Sequence, residues 1–277
     1  MRISPDPAQL CELTSAWTGE RFESGRPRVP DSVLVRLRDA TTEQAWGVLG
    51  HAGYDRQFSG AWLQTHPGTV LVGRAVTSQF LPHRPDYDAA VVDAGAREGH
   101  TAPDRQNSWV IESLVQGDVM VTDLFGKVPH GTMVGDNLGT AVASRTGVGA
   151  VIDGGVRDLQ GLVRLADVNF FCRGVDPTAI KDVTLAGINL PVRIGETTVL
   201  PGDVVLGTPT GVIFIPPVLA EAVANASDEI SVRDAFGKQR IAERAYTSAE
   251  IDVPRWAQHI EDDFRAWRRG ADPDATR

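Results

Sequence analysis

Two observations make the sequence predict a mixed α/β domain. From Thr69 to Cys172, stretches rich in β-branched residues alternate with stretches patterned like helices. From Thr197 to Ile215 the alternation gives way to short strands separated by Pro-Gly and Gly-rich turns. Alternating βα units followed by hairpins point to one mixed α/β domain, and 277 residues leave room for helical additions at both ends. Residues 1–68 are read as an N-terminal helical extension that packs on the core, 69–242 as the α/β core, and 243–277 as a C-terminal helical tail.

Leu10–Trp17 is expected to form a short amphipathic helix. Asp39–Gly53 is a second, with Thr41 or Thr42 as its N-cap and Gly50 or Gly53 near its end. Thr69–Thr77 is a strand. Leu81–Arg105 is rich in Pro, Arg, Asp and His and shows no apolar period, so a long loop is expected. A loop of that length in a compact domain is usually functional or mobile. Trp109–Val115 reads as a helix, and Asp118–Leu124 as a strand opened by a Gly117-Asp118 turn. Asp136–Ser144 is a helix, Gly149–Ile152 a strand, Asp158–Leu165 a helix and Val168–Cys172 a strand. Thr197–Ile215 is a run of hairpins, after which Pro216 and Pro217 open a long helix. In the tail, Trp256, Phe264 and Trp267 are expected to dock on the body or on a neighbouring subunit.

Composition narrows the function. The net charge of −9 argues against a broad nucleic-acid footprint, which needs clustered Lys and Arg. It leaves room for a small anionic substrate, because one local Arg binds a carboxylate. The longest apolar runs fall far short of the roughly 20 residues that span a bilayer, and the N-terminus does not read as a signal peptide. Cys11 and Cys172 form neither a disulfide framework nor a zinc pattern. The expectation is a cytoplasmic protein without membrane or nucleic-acid partners.

Two segments carry chemistry. In Val151–Asp158 (VIDGGVRD) a buried strand runs into two glycines, which let a ligand or another backbone approach closely. The residues that follow open a helix, whose free amides favour an anion. Arg157 offers a planar fork for a carboxylate, and Asp158 a hard oxygen ligand of the kind Mg²⁺ takes. The plain alternative is a local Arg157–Asp158 ion pair beside a turn. In Met133–Thr140 (MVGDNLGT), Gly135 precedes Asp136 and Asn137 at a helix start, where Asp136 also fits a simple capping role. Both segments are strand-end turns one βα unit apart, and such turns commonly line one crevice. On that geometry Asp136, Arg157 and Asp158 converge on a metal and a 2-oxo acid.

The run GDNLGTAVASRTGVGAVIDGGVRD, with the later PGDVVLGTPTGVIFIPP, resembles the RraA-like family. That family holds 4-hydroxy-4-methyl-2-oxoglutarate aldolases and the regulator of ribonuclease activity A. The resemblance runs from about Thr69 to Ala242. It implies a compact layered α/β/β/α swivelling-type domain with mixed sheets, assembled as homotrimers or homohexamers. It also implies a Mg²⁺- or Mn²⁺-dependent lyase that cleaves a 4-hydroxy-2-oxo acid to pyruvate and a carbonyl product, with oxaloacetate decarboxylation as a side activity. Carried over by motif, Arg157 binds the substrate carboxylate, Asp158 holds the metal and Asp136 orients a water. Gly135 and the amides of Asn137, Leu138 and Gly139 cradle the substrate. The alternative is a non-catalytic RraA-like regulatory binding protein. The chain departs from the family at Gly207–Val212, where acidic residues are common, and in its longer N-terminus, Leu81–Arg105 and the Trp-rich tail.

A metal route needs no Schiff-base lysine, although Lys127, near a strand end, leaves one open. The six histidines show no metal spacing and read as structural or exposed; His130, near the Gly131–Asp136 turn, is the one placed to line a pocket. Glu229 and Arg233 read as surface salt-bridge residues, with reaching a neighbour's site as the alternative. A methyltransferase is rejected because Gly147–Ile152 lacks the third glycine of a nucleotide turn.

Overall fold

The alternating segments form four neighbouring parallel strands, and the later segments extend and close the sheet. A computed structural model describes residues 1–271. The parallel strands are β3 (Leu71–Pro82), β4 (Asp118–Val134), β5 (Gly149–Val156) and β6 (Asn169–Val175). Antiparallel partners are β1 (Phe58–Ser59), β2 (Leu63–Gln64), β7 (Val183–Ile188), β10 (Val204–Thr208) and β11 (Gly211–Ile215). The order is β1-β11-β10-β3-β4-β5-β6-β2, with β7 also paired to β3. A separate ribbon joins β8 (Val192–Ile194) to β9 (Thr197–Val199).

The sheet rolls onto itself. Its terminal strands β1 and β2 are separated only by Gly60, Ala61 and Trp62. Arg173 clamps this link: Nε pairs with Asp153 at 2.6 Å, the two terminal nitrogens donate to Gly60 O and Ser59 Oγ, and the guanidinium lies 3.5 Å over Trp62. Alternation along the strands sorts the residues. Val119, Val121, Val151, Phe171, Val205 and Phe214 face the inside of the roll together with the β8–β9 ribbon. Gly207 is required there, because a Cβ would stand 2.8 Å from the Phe171 ring.

Helices cover the outward faces. The β3–β7 side carries α4 (Pro85–Arg97), α5 (Gln106–Glu112), α6 (Asp136–Thr146) and α7 (Leu159–Leu162). The β10–β11 side carries α2 (Asp31–Leu37), α3 (Thr42–His51) and the start of α8 (Ala220–Ala242). The N-terminal α1 (Pro7–Leu13) and α3 both begin with the capping boxes their sequences encode, Asp6 with Gln9 and Thr41 with Gln44. This is the mixed, layered α/β fold that the sequence predicts.

Several local expectations change. Leu81–Arg105 is not a long loop, because thirteen of its residues form α4. Pro85 starts that helix and Asp86 and Asp88 favour its N-terminus. Its buried face consists of Val91, Ala94 and Gly95, so the apolar period is too sparse to read from sequence. The helix expected at Asp158–Leu165 is a single turn, because Asp158 adopts a left-handed conformation (φ 52°, ψ 42°) and breaks the entry. Thr197–Val199 does not pair with Val204–Thr208 across the Pro201-Gly202 turn. It pairs with β8, which the sequence reading missed along with β7; the β10–β11 hairpin forms as expected.

Packing divides the chain into a unit spanning Met1–Ala224 and a second beginning at Asn225. The second contains α9 (Ser248–Ile251) and α10 (Gln258–Ala271). Its core is Phe236, Ile260 and Phe264, with Trp256 and Trp267 packed around them. The tail aromatics therefore dock on Phe236 within that unit. Arg233 pairs with Glu261 at 2.8 Å and lies 3.9 Å over Trp256, a structural use of the residue.

Asp203, which follows the Pro201-Gly202 turn, is 3% exposed, and burial pushes its carboxyl up to about 7. Unfolded, it titrates near an ordinary aspartate value of about 3.9. Between these pH values the folded chain holds a proton that the unfolded chain has released, so stability falls as pH rises from about 4 to about 7. The slope from this group approaches about 1.4 kcal/mol per pH unit. Asp203→Asn should remove that component. Parallel denaturant midpoints for the two proteins across pH 4–7 would contradict it.

Candidate active site

Register brings two strand ends together. In the parallel pair β4–β5, Val134 is opposite Val156, and the Arg157 amide donates to Val134 O at 3.0 Å. The residues that follow, Gly135-Asp136 and Arg157-Asp158, therefore lie side by side. Against β5, β4 bulges between Asp123 and Val134, and β5 itself shifts register against β6 between Ile152 and Gly155. Gly154 and Gly155 accommodate that bulge. A Cβ at Gly155 would stand 2.9 Å from Val128 O, and one at Gly154 2.8 Å from the Leu124 side chain. The two glycines thus lie inside β5 and admit another backbone; they are not a strand-end turn.

Gly135 admits the Arg157 and Asp158 side chains. A Cβ there would stand 2.3 Å from Asp158 Oδ2 and 3.0 Å from Arg157 Nε. Gly161 does the same for Asp136, with a Cβ 2.4 Å from that residue's own. The two carboxylates thus flank the junction of α6 and α7. Asp136 opens α6, and its Oδ1 accepts the Asn137 amide at 2.8 Å. Asp158 keeps its left-handed backbone at a cost of order 1 kcal/mol. Its side chain makes no capping bond, and its Oδ2 lies 3.5 Å from Arg157 Nε. Both side chains are nearly half exposed, at 43% and 45%. The ion pair of the plain alternative exists, but it is open to solvent.

A cavity of about 420 Å³ adjoins the pair. Of the residues expected from sequence, Gly135, Asn137, Leu138 and Arg157 line it. Asp136, Gly139 and Asp158 are not among the lining residues. Gly139 is buried under Leu162, and its amide donates to Gly135 O at 2.8 Å. Asp104, Arg105, Asn107, Ser108, Thr132 and Ile180 are among the other wall residues and were not foreseen. Asn107 is buried and donates to Met133 O at 2.9 Å. The loop carrying Ile180 is fastened by Thr132 Oγ1, which donates to Thr178 O at 2.5 Å. The Thr178 hydroxyl and amide in turn donate to Asp176 and hold its carboxyl below the usual range. The sequence signal for this wall was the polar segment ending at Arg105. His130 is exposed, donates its amide to Thr178 Oγ1 and does not line the cavity.

The bonding of the arginines separates their roles. Arg26 grips both Asp118 oxygens at 2.8 and 2.9 Å, Arg74 is bonded to Val29 O and Asp31, and Arg173 is saturated as described. Among the described residues, the Arg157 guanidinium makes no hydrogen bond. Its donors are free for a carboxylate.

Among the described residues, no group of three or more His, Cys, Asp or Glu side chains could hold a metal. Of the two carboxylates at the strand ends, that of Asp158 is free of backbone hydrogen bonds, whereas Asp136 accepts the Asn137 amide. That fits a hydrated hard cation, which keeps several waters and takes one or two carboxylates, and it does not fit a protein cage.

A family model described as RraA-like, Aldolase/RraA, matches residues 34–214. The chain belongs to the RraA-like family. It is 32% identical over 141 residues to a candidate 4-hydroxy-4-methyl-2-oxoglutarate aldolase of Halalkalibacterium halodurans, covering 49% of this chain and 66% of that relative. It is 27% identical over 176 residues to protein DlpA of Legionella pneumophila, covering 63% and 26%. Each aligned stretch spans less than two thirds of the relative's length. Two solved structures share the RraA-like fold. One is Streptomyces coelicolor RraAS2, described as an unusual member of the RNase ES inhibitor RraA protein family. It has a TM-score of 0.66 at 24% identity, over 77% of this chain and all of that one. The other, an uncharacterized Pseudomonas syringae protein, has a TM-score of 0.64 at 23% identity, over 82% and all of it.

The crowding at Gly135 is testable. Gly135→Ala should push Asp158 aside and lower the thermal midpoint, as overpacking by about 1–3 kcal/mol does. An unchanged midpoint with Asp158 unmoved in a crystal structure of the variant would refute it.

Proposed function

We propose that the chain is a divalent-metal-dependent lyase that cleaves a 4-hydroxy-2-oxo acid, such as 4-hydroxy-4-methyl-2-oxoglutarate, to pyruvate and a carbonyl product. Oxaloacetate decarboxylation follows at the same site, because it passes through the same pyruvate enolate. The observation that carries this reading is the unbonded Arg157 guanidinium, beside Asp158 and lining a cavity with the start of α6. The family supports lyase chemistry in general; the substrate, the ion (Mg²⁺ or Mn²⁺) and a homotrimeric or homohexameric assembly belong to the proposal.

In this reading Arg157 takes the carboxylate next to the 2-oxo group with two parallel hydrogen bonds. Asp158 holds the cation, which when bound supplies Lewis-acid stabilisation of negative charge at the 2-oxo oxygen. Gly135, Asn137 and Leu138 shape the floor under the substrate, and Gly139 fixes the turn that presents them. Cleavage also needs a proton removed from the C4 hydroxyl and one returned to C3 of the enolate. Asp136 has Oδ1 on the Asn137 amide; in this reading its other oxygen orients the water that returns the proton.

Purified protein should release pyruvate from oxaloacetate with added Mg²⁺ or Mn²⁺ and stop when EDTA is added. Asp158→Ala should abolish the metal-dependent rate; full turnover in that variant would remove the assigned ligand. Arg157→Ala should raise KM at least tenfold and also lower kcat. Failure of every 2-oxo acid tried, with metal present and the protein folded, would favour the non-catalytic regulator.

A further inference from the structure

A second cavity, of about 320 Å³, lies elsewhere in the first unit. Its walls are mostly apolar: Leu13 and Trp17 from the N-terminal segment, Tyr54, and Pro216 to Val218. Asp203 also lines it. The residue is buried, with 3% of its surface exposed. One oxygen, Oδ2, accepts the Leu200 amide at 2.8 Å. The other accepts no hydrogen bond among the described residues.

No lysine or arginine lines the cavity among the described residues. Arg21, behind Thr14, is committed to the Thr14 hydroxyl and to the carbonyls of Thr14, Trp17 and Gly25. A buried carboxyl with a spare oxygen and no cation is costly as an anion and prefers to stay protonated. Burial pushes it up to about 7, so it is poised to ionise near neutrality once a cation arrives. The turn itself needs only one acceptor for the Leu200 amide. The second oxygen is surplus to the fold.

We infer that this cavity is a binding site for a small primary amine with an apolar, ring-sized body, its ammonium group paired with Asp203. The ammonium donates to the free oxygen. Trp17 and Tyr54 line the cavity and supply aromatic surface for the cation and the body. About 320 Å³ lies at the low end of small-molecule sites, which suits a single-ring ligand. The site is separate from the Arg157 cavity, whose ligand is an anion.

Calorimetric titration with 2-phenylethylamine, the neutral 2-phenylethanol and the anionic phenylacetate tests this. The amine should bind at least tenfold tighter than the alcohol, and the acid should not bind. Asp203→Asn keeps the acceptor for the Leu200 amide and should bring amine and alcohol within about twofold of each other. Val218→Trp, which leaves Asp203 in place and fills the cavity from a half-exposed wall, should abolish amine binding. Equal binding of amine and alcohol by the unmodified protein would overturn the inference. So would no binding at millimolar amine, or an amine preference that survives either variant. Should Asp203→Asn fail to fold, the amine-to-alcohol ratio and Val218→Trp decide the matter.

Discussion

The pairing of Val134 with Val156 governs the rest of the site. β4 and β5 are already in register at Val119 and Gly149, so β4 uses sixteen residues where β5 uses eight. The surplus is expelled as the bulge over Gly154 and Gly155. Because the two strands end level, the next residues on each must share a small space. That requires Gly135 and puts Arg157 beside the start of α6. A slip of one residue in this pairing would turn Arg157 to the opposite face. The same register seats the catalytic candidates and spends the paired glycines on backbone contact.

Hydrogen-bond economy then distinguishes residues that hold the fold from those available to a ligand. Buried polar groups in a folded protein are nearly always satisfied. Arg26, Arg74 and Arg173 obey this and tie distant segments to the sheet. Arg157 and Asp158 are nearly half exposed and fall outside that rule. They keep unused donors and acceptors, and Asp158 does so in a left-handed backbone that a packing role would not demand. Unused bonding capacity and local strain at the edge of one cavity are what a preorganised binding site requires.

The strands on either side of the site were legible because they are buried on both faces and read as short runs rich in β-branched residues. The start of α6 at Asp136 also survives in the amino-acid pattern. The pairing of the two motifs was legible for the same reason, since it follows from strand adjacency. α4 was not legible: Val91, Ala94 and Gly95 are its whole buried face. Nor was the short α7, because the left-handed turn at Asp158 has no glycine to announce it. Asn107 and Ile180 reach the cavity through contacts with β4 and with the loop after β6. Such contacts depend on tertiary packing and leave no local signature. The role of Gly154 and Gly155 was open between ligand and backbone, and only the bulge in the partner strand decides it.

Charge gives the site its last constraint. The chain carries −9 overall, yet exposed charges farther apart than about 8 Å are largely screened at physiological ionic strength, so the local balance matters more. Locally, Asp158 offsets Arg157, and Asp104 lies 3.9 Å from Arg105. The protein alone therefore offers an anion little net attraction beyond its hydrogen bonds. On the proposed reading, a divalent cation on Asp158 would change the sum over Asp136, Arg157 and Asp158 from one negative to one positive charge. On that reading a 2-oxo acid would bind more tightly to the loaded site. By linkage the acid tightens the cation to the same degree. On that reading a single protein carboxylate would suffice, because a hydrated cation keeps several waters and takes few protein ligands.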